Sequence, residues 1–594
     1  MAITKFPAGR RVMRPFPGVR PDLFLLCTAL ALSTAPAAED FNRIAPKAVP
    51  PPQPSGFTPP TQSQNQGGDP NQVIVRKLKA LVFVARPGDV SKGLVAARGV
   101  ELRGVTTPAP ERFRSQVSPY LGQTVTRGKL NELVQSIILF YRNHDRPVVD
   151  VIVPAQDITN GVLQVVLLEG RVGQVTVTGN RWFDSDEISD GVTAQPGGAI
   201  DSRVLQGDID FLNQNPFRTT ELIYRPGEKM GQTDLNLQTT DRFPLRAYVG
   251  YEDSGDIETG RDRYLAGFNY GDLFGLGQQL NYQYTTSGNG DSLRAHSGSY
   301  VVPLPWQHTL TFFGSYVDTK GVIPPFFGIK GESYQISGRY SVPLPSFNVA
   351  TVVYKESVAA GFDYKYNNDS LEFGNATAAN TLYDVDQFVF TYNGAESDPY
   401  GQTTVNENLF ISPGNWGGNN NDTAFNAAHT GATSGYVYNT VVGERLTKLP
   451  LAWTLVLRGT VQSSNSKLAP SEQLGFGGYD TVRGYDEREV NTDDGFIFTT
   501  ELRTPTLSVG QIFNYPWLKD QLQFLGFWDY GDGSNHLLLP GEPQEIPLSS
   551  LGVGLRYSIN SYLSIRYDYA FQLLRTGFDN DHGSRSDIGL VISY

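Results

Sequence analysis

From about Pro244 to Tyr594 the chain alternates apolar and polar residues in short runs separated by Gly, Asp and Asn clusters. That period of two marks β-strands with one apolar face. The run LGVGLRYSI places Leu551, Val553, Leu555, Tyr557 and Ile559 on one side, with Gly552, Gly554, Arg556 and Ser558 on the other. LSIRYDYAF sets Leu563, Ile565, Tyr567, Tyr569 and Phe571 against Ser564, Arg566, Asp568 and Ala570. DIGLVISY sets Ile588, Leu590, Ile592 and Tyr594 against Asp587, Gly589 and Ser593. A soluble sandwich also alternates. The Tyr-rich apolar faces, the Arg and Asp that a watery lumen would solvate, and an export signal favour a transmembrane barrel. About sixteen antiparallel strands fit residues 242–594, an even number with roughly 22 residues per strand and connection.

Upstream the period changes. KLNELVQSIILFYRNHD spaces Leu130, Leu133, Ile137, Ile138 and Tyr141 along one helix face, and PVVDVIVPAQ and GVLQVVLLEG read as strands. A second small unit begins at GRVGQVTVTGN. Its helix, DSRVLQGDIDFLNQNP, is capped by Asp201 or Ser202, buries Val204, Leu205, Ile209 and Leu212, and ends at Pro216. TTELIYRPG and TDLNLQTTD close the unit as strands around the turn GEKMGQ. Two α+β modules, residues 73–169 and 170–241, therefore precede the barrel.

The N-terminus carries Lys5, Arg10, Arg11, Arg14 and Arg20, then the apolar stretch LFLLCTALAL and small residues at Ala35, Ala37 and Ala38. This is the pattern of a secretory signal peptide over residues 1–38. The only cysteine, Cys27, lies within it, so disulfides and thiolate chemistry are not expected of the exported chain. Residues 39–72 are rich in Pro, Gln and Gly and read as a linker. Its first part, EDFNRIAPKAV, offers only a short, Pro-limited helical candidate, so plugging of the barrel by this segment is not expected. The net charge of −12 and pI near 5.1 set nucleic acid aside as a partner. The apolar runs and the mean hydropathy of −0.28 exclude helical membrane spans but not a barrel.

The run SPYLGQTVTRGKLNELVQSIILFYRNHDRPVVDVIVPAQDITNGVLQVVLLEGRVGQVTVTGN resembles the first POTRA domain of two-partner secretion transporters running into the second. LQGDIDFLNQNPFRTTELIYRPGEKMGQTDL resembles the core of that second POTRA. The most specific piece is VRGYDE, with Val482, Arg483, Gly484 and Tyr485. In the haemolysin and filamentous-haemagglutinin exporter type, this motif tips a long loop folded into the lumen, and its Arg pairs with the Asp of an F-x-D motif. Here that motif matches Phe527-Trp528-Asp529. Alternation puts Phe527 and Asp529 on one face and Phe524, Trp528 and Tyr530 on the other, so Asp529 is expected to face the lumen.

The resemblance implies an outer-membrane pore with two periplasmic POTRA domains. Its expected partners are a secreted exoprotein, outer-membrane lipid and the barrel-assembly machinery, which reads the terminal aromatic Tyr594. No cofactor or enzymatic activity is implied. A barrel-assembly insertase is the alternative, since it shares the barrel and the VRGY loop but typically carries more POTRA units.

Other motifs point to less. FGLGQQ near Phe274 lacks the Lys-Ser/Thr pair and following helix of a phosphate loop and reads as a turn. GGNNNDT over 417–423 lacks the acidic spacing of a calcium site and reads as a surface loop. The six histidines form no pair with zinc-ligand spacing.

Overall fold

The computed structural model describes residues 39–50, 69–323, 327–349, 351–373, 376–515, 517–538, 545–576 and 583–594. The segment read as a signal peptide lies outside them.

Alternation in the C-terminal region resolves into a closed antiparallel barrel of sixteen long strands, from Leu245–Glu252 to Ser584–Ser593. A further three-residue strand, Phe347–Val349, pairs with the start of Val352–Phe373. Closure comes from pairing the first strand with the last, Tyr248 opposite Ser593 through Glu252 opposite Gly589. Because the side-chain period is two, this register points the apolar sets of the last strands outward. Leu551, Val553, Phe571, Ile588 and Ile592 are exposed on the outer face, whereas Asp568, Ala570 and Asp587 on the opposite parity are fully buried.

The two upstream modules fold as the periodicity predicts. In the first, the four-stranded sheet runs Gly99–Arg103, Ala80–Val84, Val162–Glu169, Val149–Ile152. Helix Arg127–Arg142 lays Leu130, Leu133, Ile137, Ile138 and Tyr141 on it. Thr126 caps that helix by accepting from the Lys129 amide at 3.3 Å. In the second, a three-stranded sheet of Arg171–Thr178, Gln232–Asp241 and Arg218–Pro226 packs against helix Ser202–Leu212. Asp201 caps this helix, accepting from the amides of Arg203 and Val204. The expectation for Val204 fails. It is 47% exposed, because the buried stripe of this helix passes through Leu205, Asp208, Ile209 and Leu212 and leaves Val204 on the far side.

Polar contacts join the modules to each other and to the barrel. Arg146 bridges Glu169 and Asp201, at 2.8 and 2.7 Å. Asn215 Nδ2 donates to the Gly271 carbonyl at 2.6 Å, beside Phe217, whose ring leaves no room for a Cβ at Gly271. Gln307 Nε2, on the turn between strands Leu293–Pro303 and Thr309–Ile323, donates to Asp208 Oδ1 at 2.6 Å and to the Gly191 carbonyl at 3.0 Å. Burial pushes the Asp208 carboxyl up from its ordinary value, against the hydrogen bonds from Gln307 and Thr193 that hold it down.

Candidate functional site

Between strands Thr454–Ser464 and Asp494–Arg503 the chain does not turn back at the barrel rim but folds inward, and its tip carries the VRGY residues. Arg483 is 3% exposed. Its Nε and Nη2 donate to the two oxygens of Asp529 at 2.8 and 2.9 Å, a bidentate fork, and its own amide donates to Asp529 Oδ2 at 3.2 Å. Nη1 donates to Glu501 Oε1 at 2.8 Å and lies 3.6 Å from Asp568. The guanidinium carbon sits 3.4 Å from the centroid of the Phe527 ring, so Phe527 is the platform that positions the fork. Arg503 pairs with Glu501, and Arg556 and Arg566 pair with Asp568. Each buried carboxylate of this cluster therefore meets a guanidinium, the arrangement that buried charge requires.

The neighbouring motif residues serve the same closure. Val482 is fully buried against Phe476 and Tyr485. Gly484 holds φ at +95°, and a Cβ there would stand 3.0 Å from the Ala570 methyl, so glycine meets both demands. Tyr485 Oη donates to the carbonyls of Ser549 and Leu574 at 2.8 and 2.5 Å. Gly531, two residues beyond Asp529 on the same face, admits Phe476 and Val482 where a Cβ would collide. Val482, Arg483, Gly484, Tyr485, Phe527 and Asp529 thus meet at one place. Tyr594 does not join them. It lies at the barrel seam, 89% exposed, with its amide donating to the Ala247 carbonyl at 2.9 Å.

The base of the loop is fixed to a different part of the wall. Glu472, 1% exposed, accepts from Lys365 Nζ at 2.8 Å, Tyr438 Oη at 2.8 Å and Gln387 Nε2 at 3.1 Å. The loop therefore crosses the lumen between two anchors. Glu501 was open to discovery by alternation alone, since it shares its strand face with Thr499. The Glu472 to Lys365 pair carries no local sequence signal, because its partners lie 107 residues apart.

Two expectations about neighbouring segments need correction. Residues Glu39–Ile44 do form only a six-residue helix, yet it sits inside the barrel. Ile44 packs against Leu293, Ala295 and Val317, and the Ile44 carbonyl accepts from Gln283 Nε2 at 3.0 Å and from Ser297 Oγ. Lys47 pairs with Glu252 at 2.6 Å, and Arg246 donates to the carbonyls of Lys47 and Ala48. What retains this segment is a set of wall side chains on its backbone, which needs no long helix. The GGNNNDT stretch is likewise not a simple surface loop. Asn420 is buried, donating to the Asp384 carbonyl, and the following helix Asp422–Ala428 buries Phe425 against Tyr383 and Tyr436.

A lipid-facing barrel closed on itself, with an Arg-locked loop in its lumen and α+β modules docked at the barrel end that carries Gly271 and Gln307, defines an outer-membrane barrel of the transport class. Residues 231–557 match the model of the haemolysin secretion/activation protein ShlB/FhaC/HecB family, and residues 95–170 match the ShlB-type POTRA domain. The chain belongs to that family. It is an outer-membrane transporter of two-partner secretion, with its POTRA modules in the periplasm. The heme/hemopexin transporter protein HuxB of Haemophilus influenzae is 23% identical over 453 residues, covering 74% of this chain and 76% of its own. The outer membrane transporter CdiB of Dickeya dadantii is 22% identical over 182 residues, 30% of this chain and 32% of its own. In structure, CdiB from Escherichia coli superposes with a TM-score of 0.71 at 15% identity, over 90% of this chain and 92% of its own. CdiB from Acinetobacter baumannii gives 0.62 at 14% identity, over 96% and 97%.

Proposed function

We propose that this pore carries one large, mostly β-structured exoprotein, adhesin-like or haemolysin-like, from the periplasm to the cell surface, and that the VRGY loop holds the lumen closed until that partner arrives. The observation that carries the gating reading is the buried bidentate pair of Arg483 and Asp529, with Glu501 and Phe527 around the same guanidinium. A loop fixed by desolvated charge stays put in water but has a discrete set of bonds to break. The POTRA modules would catch the unfolded partner at a sheet edge, a mode that draws on main-chain hydrogen bonds and makes little demand on sequence. The protein acts without catalysing a bond, and movement draws on folding of the partner outside the cell.

Tyr594, aromatic, exposed and at the seam, is proposed as the residue read by the barrel-assembly machinery. Its deletion should lower the amount of heat-modifiable barrel in outer membranes, and an unchanged amount would remove it from that role.

Quantitative proteomics of culture supernatant and outer membranes, with and without this gene, tests the transport reading. Loss of one large extracellular protein with other barrels unchanged supports it. A broad fall in many barrels would point instead to an insertase.

A further inference from the structure

The lumen wall is divided among residents. The first five strands hold the segment 39–50, and the last five hold the tip of the VRGY loop. On the strands between them, the extracellular half carries the loop base and the helix Asp422–Ala428. Among the described residues, no segment covers the periplasmic half of those strands. That half faces the helix Ser202–Leu212 across a cavity of about 1070 Å³, at the upper end of or above the range of small-molecule sites, about 300–1,000 Å³.

The chemistry of this wall differs from the rest of the lumen. Thr391 Oγ1 donates to Asn408 Oδ1 at 2.7 Å, Asn408 Nδ2 to Asn406 Oδ1 at 2.8 Å, Asn406 Nδ2 to Asn393 Oδ1 at 2.6 Å, and Asn393 Nδ2 to Ser357 Oγ at 3.4 Å. This relay uses one N–H of each carboxamide, and each has two. Among the described residues, charge on this wall is paired, within the wall at Arg339 and Asp363, 2.7 Å apart, and otherwise at the periplasmic rim. Lys355 bonds Asp210 of the helix at 2.7 Å, and Arg458 bonds Glu444 at 2.9 Å. The helix contributes Val204 and Phe211 to the lining, with Arg203, Asp208 and Asp210 beside them, and the barrel turn contributes Leu344.

We propose that this amide relay, with Val204 and Phe211 of the facing helix Ser202–Leu212, forms the entry track for an extended, amphipathic segment of the exported polypeptide. The proposal rests on the transport reading above and deepens it. Asn406 and Asn408 are successive inward residues of one strand, and Thr391 and Asn393 of its neighbour. Their separation is the two-residue repeat of a strand, the same repeat at which an extended guest presents equivalent peptide groups. Carboxamides both donate and accept, as peptide groups do, so they can bond a backbone irrespective of sequence. The apolar side chains of an alternating segment then face Val204, Phe211 and Leu344. The charged side chains on the barrel side of the track are each bonded, Lys355 to Asp210, Arg458 to Glu444 and Glu356 to Tyr392, which leaves the relay itself neutral toward acidic and basic guest residues alike.

The test uses the full chain purified in detergent and a soluble twenty-residue peptide of alternating Val or Leu with Ser or Thr, bearing a central benzoylphenylalanine. Photo-crosslinks are mapped by mass spectrometry. Crosslinks within 204–211 and 391–408 are expected, with yield falling at least fivefold in the N406A/N408A double variant and in V204S. Thr311→Ala, on the wall that holds the N-terminal segment, should leave the yield unchanged. Crosslinks confined to POTRA sheet edges, no crosslinks, or yields indifferent to both wall variants would overturn the proposal. Failure of the track is separable from failure of the transport reading. If gene deletion still removes one extracellular protein from the supernatant, only the track falls.

Discussion

Two parts of the same lumen wall, one around Asp529 and one around Asn406, are built from the same alternating strands and do opposite things. Around Asp529 the wall and the loop tip are charged and mutually matched, with buried Arg483, Asp529, Glu501 and Asp568 and half-buried Arg503, Arg556 and Arg566. Around Asn406 they are neutral, half-exposed and bonded to one another. Desolvated ion pairs penalise the loss of a partner heavily, because the charge left behind has no water to turn to. Carboxamides exchange one neutral hydrogen bond for another at nearly equal free energy. The charged wall is therefore suited to holding a resident loop, and the neutral wall to letting a passenger slide.

The comparison breaks most severely if the charged side proves dispensable. Arg483→Ala leaves Asp529 and Glu501 buried beside a void, and the loop's attachment should weaken by roughly 3–5 kcal/mol. The barrel should remain folded and heat-modifiable, while single-channel conductance rises and secretion falls. Asp529→Ala should do the same to a lesser extent, since Glu501 and Asp568 still face the arginine. Wild-type secretion and conductance in both variants would remove the lock. A smaller effect is expected at the loop base. Lys365→Met takes the cation from Glu472, but Tyr438, Gln387 and Ser471 still donate to that carboxylate. About 2–3 kcal/mol of loop attachment should be lost. Limited proteolysis of the loop should accelerate less than in Arg483→Ala, and equal acceleration would make the base, not the tip, the principal anchor.

Much of the charged wall could be read from the chain, and little of the neutral one. Strand parity alone puts Asp529, Asp568 and Arg566 inside, and the VRGY and F-x-D motifs name which two meet. Parity does not say what fills a lumen. The segment 39–50 looks like linker because its six-residue helix ends before Pro46, yet it is held by Gln283, Ser297, Arg246 and Tyr248 from strands 198 to 253 residues away. Val204 shows the same limit from the other side. An apolar residue near a buried stripe reads as core, and only the placement of the barrel beneath the helix reveals that it lines a cavity. Asn393 lies on one strand and Asn406 and Asn408 on its neighbour, and together they spell no motif, so their relay exists only in the register.

The third side of that cavity is the POTRA helix, and its seating has its own pH signature. Asp208 takes hydrogen bonds from Gln307 and Thr193 while buried, and burial raises its pKa. A carboxyl whose folded value is raised contributes stability that is complete below its unfolded value, about 3.9, and lost as pH rises through the folded value. Amide exchange across residues 202–212 should therefore become faster from about pH 4 to neutrality, after correction for intrinsic rates. Asp208→Asn should flatten that slope and change the stability at neutral pH by no more than about 1 kcal/mol. A slope that persists in the variant would place the titrating group elsewhere.

The smallest structural effect belongs to the neutral wall, and it is the sharpest test of the contrast. Asn406→Ala removes one link of the relay, and Asn408 and Asn393 each lose one neutral partner on a half-exposed surface that water can reach. The cost to the barrel should be about 0.5–1 kcal/mol, invisible in heat-modifiable mobility and in resting conductance. Asn406→Asp keeps the size but places a charge on the track, which should slow the passage of acidic segments more than basic ones. Secretion rates of the partner should then separate by variant, Asp below Ala, while the closed pore of both remains as in wild type. If Asn406→Asp instead opened the resting pore, the neutral wall would be part of the lock, and the division between holding and passing would dissolve.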